Sequence, residues 1–220
     1  PSHFRTLLDN FAAQDHPDGL ILGLWNNDRS LASHYERELD RWRRESEPGA
    51  LRRVHLTHAP INTGGPGRFY MGRMLAHRYR QPFIVFMDDD QVIGPAWAGQ
   101  LLAQAEAKTQ KSWWAWKISN DDYWDRVRAM PGERIDYAAT CGMISDASIL
   151  DHPMLFRDLP RESWFIEDVW MNHVALLDGY ELVALDTEMD FVLDETNQNH
   201  QLAPVKPAFY RSLVEQRRPG

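Results

Sequence analysis

The chain has 220 residues, with 24 Lys+Arg against 32 Asp+Glu and a formal net charge of -8. That length fits one α/β domain with a sizeable core, and the charge argues against a general nucleic-acid or acidic-membrane surface. No apolar run reaches the ~18 residues of a membrane span and no signal peptide is visible, and a single cysteine, Cys141, leaves no intrachain disulfide or cysteine-based zinc site, so the expected setting is soluble, reducing and cytoplasmic.

Phe4, Leu7, Leu8 and Phe11 follow helical spacing, after Pro1 and Ser2 as start signals. Pro17-Asp18-Gly19 turns into a short strand, Leu20–Trp25, which Asn26-Asn27-Asp28 ends. A helix from about Leu31 to Arg44 presents Leu31, Tyr35, Leu39 and Trp42 on one face. Pro48-Gly49 breaks it before a strand over Leu51–Leu56. The glycine-rich loop from Asn62 through Gly64, Gly65 and Gly67 to Arg68 leads into a helix ending near Tyr79. A strand over Phe83–Met87 and a helix from about Pro95 to Lys108 continue the alternation. It predicts a mostly parallel, helix-covered α/β sheet.

From Ser112 onward the rhythm is less regular. Strands are expected near Trp113–Ile118 and Tyr137–Ser145, with a polar loop and a possible short helix between them. A helix over Glu167–Leu177 should end at Asp178-Gly179, followed by strands at Glu181–Leu185 and Phe191–Leu193. A terminal helix is expected from about Pro207. There are no repeats or low-complexity linkers, which suggests one domain with halves of about 1–110 and 111–220. Nine tryptophans are present, with Trp113, Trp114, Trp116 and Trp124 crowded together. Such rings serve as packing, or as a stacking face for a sugar or base.

Asp88-Asp89-Asp90 directly follows the apolar run Phe83–Met87, whose composition is that of a buried strand. Side chains alternate along an extended segment, so Asp88 and Asp90 should share a side. A hard divalent cation removes their repulsion and prefers carboxylate oxygen. Ligands of open α/β sheets collect outside strand carboxyl ends. This pattern points to a metal site holding something anionic, most simply a diphosphate. The plainer alternative is an acidic turn that caps the next helix.

A second acidic pair, Glu167-Asp168, opens an amphipathic helix after Trp164-Phe165-Ile166. The helix dipole favours carboxylates in a first turn; alternatively, one of them is a general base for an attacking hydroxyl. His200, in the polar stretch 194–200, is either a solvated loop residue or a metal ligand. His173 reads as packed or exposed, and Cys141 as a small packed residue with no evident basic partner.

In order and spacing these landmarks resemble nucleotide-sugar-dependent glycosyltransferases of the GT-A class, especially family 2. The resemblance runs from the opening helix through Asn26-Asn27-Asp28, the Asn62-x-Gly64 loop with Arg68, the Asp-x-Asp element, Glu167-Asp168 and Asp178-Gly179-Tyr180. It implies a Rossmann-like, three-layer α/β/α fold. It also implies that Asn27 and Asp28 border the base, and that Asn62 and Arg68 lie near the nucleotide. Asp88 would take the ribose side and part of the metal, with Asp89 in support. Asp90 would coordinate Mn²⁺ or Mg²⁺ bridging the donor diphosphate, with His200 as a further ligand. Asp168 would be the catalytic base, Glu167 would orient the hydroxyl acceptor, and transfer would invert the sugar. The resemblance further implies a β-strand before the first helix, which this sequence does not supply. Two other readings stand beside it: a nucleotide- or carbohydrate-binding module without catalysis, and a metal-dependent phosphatase with an aspartate nucleophile. The phosphatase lacks its usual Thr after the second aspartate and a clear downstream lysine.

Overall fold

The computed structural model describes residues 3–191 and 204–217. Helix α1 (Phe4–Ala12) buries Phe4, Leu7, Leu8 and Phe11, the spacing that the sequence displays. It packs on α2 (Ala32–Glu45), whose Leu39 and Trp42 are buried; Trp42 Nε1 donates to Asp9 Oδ1 at 2.7 Å. Strands β1 (Leu20–Asn26) and β2 (Leu51–His58) pair in parallel, with Leu22 beside Val54 and Trp25 beside Thr57. The glycine loop then enters α3 (Gly67–Tyr79), which packs against both β1 and the aspartate-bearing strand β3 (Phe83–Phe86).

After β3 come β4 (Gln91–Ile93), α4 (Trp97–Ala103), β5 (Thr109–Ser112), β6 (Ala115–Ile118), β7 (Arg126–Arg128), β8 (Tyr137–Ala138) and β9 (Met143–Asp146). A short helix α5 (Met154–Arg157), the helix α6 (Glu167–Leu177), β10 (Glu181–Ala184), β11 (Met189–Phe191) and α7 (Val205–Arg217) complete the described chain. Among the described residues no helix is long and apolar enough to cross a membrane.

The expected mostly parallel, Rossmann-like GT-A sheet in a three-layer α/β/α arrangement is not what forms. The described strands make four small sheets, ordered β1-β2, β10-β5-β9-β3, β11-β4 and β7-β6-β8. Only β1 with β2 and β10 with β5 are parallel. The other pairings are antiparallel. Strand–helix alternation constrains which element follows which, but not the direction of a strand that returns from farther along the chain. Here β9 inserts between β3 and β5 and runs against both, with Met143 opposite Phe86 on one side and Ser112 on the other. Among the described residues, nothing hydrogen-bonds the β1-β2 pair to the four-stranded sheet, and α3 bridges the two.

Two local differences have identifiable causes. The helix expected to reach Lys108 stops at Ala103, because the Gln104 side chain donates to Asp186 O at 2.8 Å and accepts from Asp186 N at 3.1 Å. Lys108 then takes a left-handed turn (φ 55°) into β5. The strand expected near Trp113–Ile118 forms as the shorter β6, and an unexpected strand, β5, precedes it in a different sheet. Ser112 Oγ marks the kink by accepting from Trp114 N at 3.2 Å and donating to Ala139 O at 2.6 Å.

Successive residues of β9 serve different cores. Met143 joins Phe69, Phe86, Tyr137, Ile149 and the apolar side of α6, with Leu213 from α7. Ile144 joins α1, Trp42, Trp97, Leu101, Leu185 and Met189. The two-residue period of a strand thus makes β9 the wall between two apolar clusters. Met143 is fully buried, so Met143→Ala is expected to lower stability by about 2–5 kcal/mol in urea denaturation. A loss under about 1 kcal/mol would show that β9 is not central.

Candidate functional site

Because β9 runs against β3, the carboxyl end of β3 meets the segment leading into β9. Asp88-Asp89-Asp90 therefore lies beside Thr140 and Cys141. Arg68, in the first turn of α3, joins these parts. Its Nη1 donates to Asp88 Oδ1 at 2.7 Å and to Thr140 Oγ1 at 2.8 Å, and its Nε lies 3.2 Å from Glu167 Oε1. Gln91 ties the turn to the same segment, accepting from Asp88 N at 3.2 Å and donating to Cys141 Sγ. Burial, reinforced by Asp88 and Asp90, pushes the Cys141 thiol well up, so it is a packed group rather than a nucleophile.

Glu167 and Asp168 open α6 without a side-chain cap, where the helix dipole favours negative charge. Glu167 is buried, and burial raises its pKa to about 7; Arg68 opposes that rise, and Asp168 adds to it. Its carboxyl lies against the backbone of Gly65, where a Cβ would collide with it. Gly65 N also donates to Trp164 O at 2.9 Å, so the glycine loop and the start of α6 are held face to face.

Asp168 Oδ2 accepts from the buried Tyr137 hydroxyl. Burial first, and then Asp168, keep that phenol protonated, with its pKa far above the usual range. Lys206, near the start of α7, is also within electrostatic reach of Asp168. Burial works to lower the lysine's pKa, but Asp168 and Tyr123 together outweigh it. Asn172, one turn on from Asp168, accepts from Ala138 N at 2.7 Å and donates to Ala138 O at 3.0 Å. A helix side chain thereby replaces a strand partner and fixes β8, and with it Tyr137.

The residues expected around a nucleotide divide by role. Asn27 Oδ1 accepts from Thr63 N at 3.0 Å and its Nδ2 donates to Gly64 O at 2.9 Å, while Asn62 Oδ1 accepts from Gly64 N at 2.8 Å. Both asparagines shape the glycine loop. Asp28 is exposed and accepts from Ser30 N at 2.9 Å and Ser30 Oγ at 2.6 Å. Asp89 is also exposed. Burial and then Asp89 and Asp28 raise the pKa of Tyr35, whose ring packs edge-on against Phe4 at 5.1 Å. His173 is packed against Trp170 at 5.4 Å, and burial depresses its pKa to about 4. His200 lies outside the described residues.

Asp90 carries the observation that bears on a metal. Its Oδ1 is buried without a hydrogen-bond partner among the described residues. Burial, then Asp88 and Asp89, raise its pKa. An orphaned carboxylate oxygen beside two others fits a hard cation. Asp88 has one oxygen committed to Arg68. No group of three His, Cys, Asp or Glu side chains is gathered for a metal among the described residues. Mg²⁺-type binding by one or two carboxylates, completed by water and substrate phosphate, needs no such group.

Sequence patterns pointed to Arg68, the aspartates and the acidic pair, which the fold brings together. They missed Tyr137 and Asn172 as supports of Asp168, and Lys206 altogether, because these contacts span 31, 34 and more residues with no local signature. No protein-family model matches the chain, and no curated protein matches it.

Removing the unpaired Asp90 charge should raise the melting temperature of the metal-free protein while abolishing stabilisation by Mn²⁺. Asp90→Asn is therefore expected to melt a few degrees higher in EDTA and to show no Mn²⁺-dependent shift. An unaltered Mn²⁺ shift in this variant would take Asp90 out of any metal site.

Proposed function

We propose that the chain is a glycosyltransferase that moves a sugar from a nucleoside-diphosphate donor to a hydroxyl acceptor with the aid of Mn²⁺ or Mg²⁺. The observation that carries this reading is the Arg68 bridge. It brings the aspartate turn and the Glu167-Asp168 pair, almost 80 residues apart in sequence, to one guanidinium. A site for an anionic donor and a carboxylate suited to a general base then stand side by side.

Asp90 and Asp88 would hold the cation, whose positive charge offsets the charge that builds up on a leaving diphosphate. The chain's own groups account for the rest. Arg68 is charge-paired on two sides, so it fixes Asp88 and Glu167 rather than binding donor directly. Asp168 takes the proton from the acceptor hydroxyl as that oxygen attacks the anomeric carbon from the face opposite the diphosphate, with inversion. Tyr137, donating to Oδ2, orients the carboxylate. Proton transfer by a positioned base supplies about 10²–10⁴-fold in rate. The commitment of Asp88 to Arg68 weighs against an aspartate nucleophile of the phosphatase kind. A reducing, cytoplasmic setting belongs to the same reading.

Asp168→Asn tests the assignment in a panel of nucleotide sugars and hydroxyl acceptors with Mn²⁺. Transfer should fall at least about 10²-fold, with nucleoside-diphosphate binding nearly unchanged by titration calorimetry. Loss of nucleotide binding with transfer retained would remove Asp168 from the role of base.

A further inference from the structure

The hairpin of β6 and β7 carries Arg126 and Arg128, two residues apart on one strand and so on the same side of it. Both guanidinium groups lie over aromatic rings. The Arg126 Cζ is 4.6 Å from the Trp116 ring centre, 4.6 Å from Tyr123 and 4.9 Å from Trp124. The Arg128 Cζ is 4.3 Å from Trp114 and 4.8 Å from Trp113. Guanidinium groups at these distances occupy the ring faces that a sugar would need for stacking. This tryptophan-rich stretch therefore presents positive charge. Neither arginine has a carboxylate partner among the described residues, whereas Arg68 already serves two.

Arg128 stands at the aspartate end of this row. It donates to Trp113 O, and Trp113 N donates to Gly142 O at 3.0 Å, next to Cys141. The Trp113 and Trp114 rings pack on Phe191 at 5.4 and 5.2 Å. Phe191 in turn is registered opposite Gln91, the residue after Asp90. The Cys141 thiol lies within electrostatic reach of Asp88 and Asp90 and also of Arg128. A diphosphate at the aspartate turn would face three carboxylates, with Arg68 already neutralised. The Arg128 guanidinium, without a carboxylate partner among the described residues and linked to that turn through Trp113 and Gly142, offers the planar, two-pronged donor that phosphate oxygens accept well.

We propose that Arg128 binds the diphosphate of the donor, alongside the cation held at Asp90; this rests on the transferase reading for the identity of the ligand. Arg126, at the far end of the row beside Tyr123 and Lys206, has no part in it.

Inorganic pyrophosphate is a suitable probe, because it reports on the phosphate site without a choice of base or sugar. Calorimetric titration with pyrophosphate as its Mn²⁺ complex would compare wild type with Arg128→Met, Arg128→Lys and Arg126→Met. Methionine keeps apolar cover on the tryptophans, and circular dichroism would show that each variant is folded. Arg128→Met should weaken binding at least about tenfold, the scale of one charge-assisted hydrogen-bonded pair. Arg128→Lys should recover part of that loss, and Arg126→Met should change binding less than about threefold. Absence of pyrophosphate binding by wild type, full binding by Arg128→Met, or equal losses at both arginines would overturn the proposal. The two readings fail separately. Arg128-dependent pyrophosphate binding in a chain that transfers no sugar would support the anion site and remove the transferase. Sugar transfer with a donor KM unmoved by Arg128→Met would remove the role of Arg128 alone.

Discussion

The Arg68 guanidinium is the interaction on which the site depends. It is reached from four parts of the chain: the start of α3, the turn after β3, the segment before β9 and the start of α6. A carboxylate as buried as Glu167 is costly without compensation, and removing one partner of such a pair leaves a charge that the surroundings cannot solvate. The glycine loop makes the arrangement possible. Gly64 adopts a left-handed conformation (φ 62°) with Trp164 O close to where a side chain would begin, and Gly65 leaves room for the Glu167 carboxyl. Close backbone approach at those two positions sets where α3 begins and hence where Arg68 points.

The direction of β9 has the next largest consequence. A parallel neighbour for β3 would have brought another carboxyl end beside the aspartates. The antiparallel β9 instead brings its own entry segment, so Thr140 completes the Arg68 bridge and Cys141 packs under Gln91. The same strand divides the apolar interior, sending Met143 one way and Ile144 the other. Packing and site geometry are thus outcomes of one pairing. On the other wall, Asn172 holds β8 and Tyr137 holds Asp168, so α6 both carries the acidic pair and fixes its surroundings.

Local signals in the sequence were readable where a single element decides the outcome. The apolar run ending in three aspartates is a strand with a charged turn, and Glu167 begins its helix where the acidic pair and amphipathic spacing place it. The opening helix buries the four residues that its spacing picks out. Strand direction was not readable, because the sign of the β3–β9 pairing depends on residues some 60 positions apart. The Arg126–Arg128 strand was absent from the sequence reading: three residues with charged ends offer too short a pattern, and its stability comes from stacking on tryptophans of the neighbouring strand and loop. The faces of those tryptophans, which could otherwise stack on a sugar or base, are filled by guanidinium groups.

A double-mutant cycle between Asp88 and Glu167, with Asp88→Asn and Glu167→Gln read by urea denaturation near pH 8, tests the central claim most directly. The two carboxylates share Arg68, so their effects should be coupled by about 0.5–3 kcal/mol. Additivity within about 0.3 kcal/mol would mean that the aspartate turn and the start of α6 are energetically independent, and the single site built on Arg68 would be contradicted.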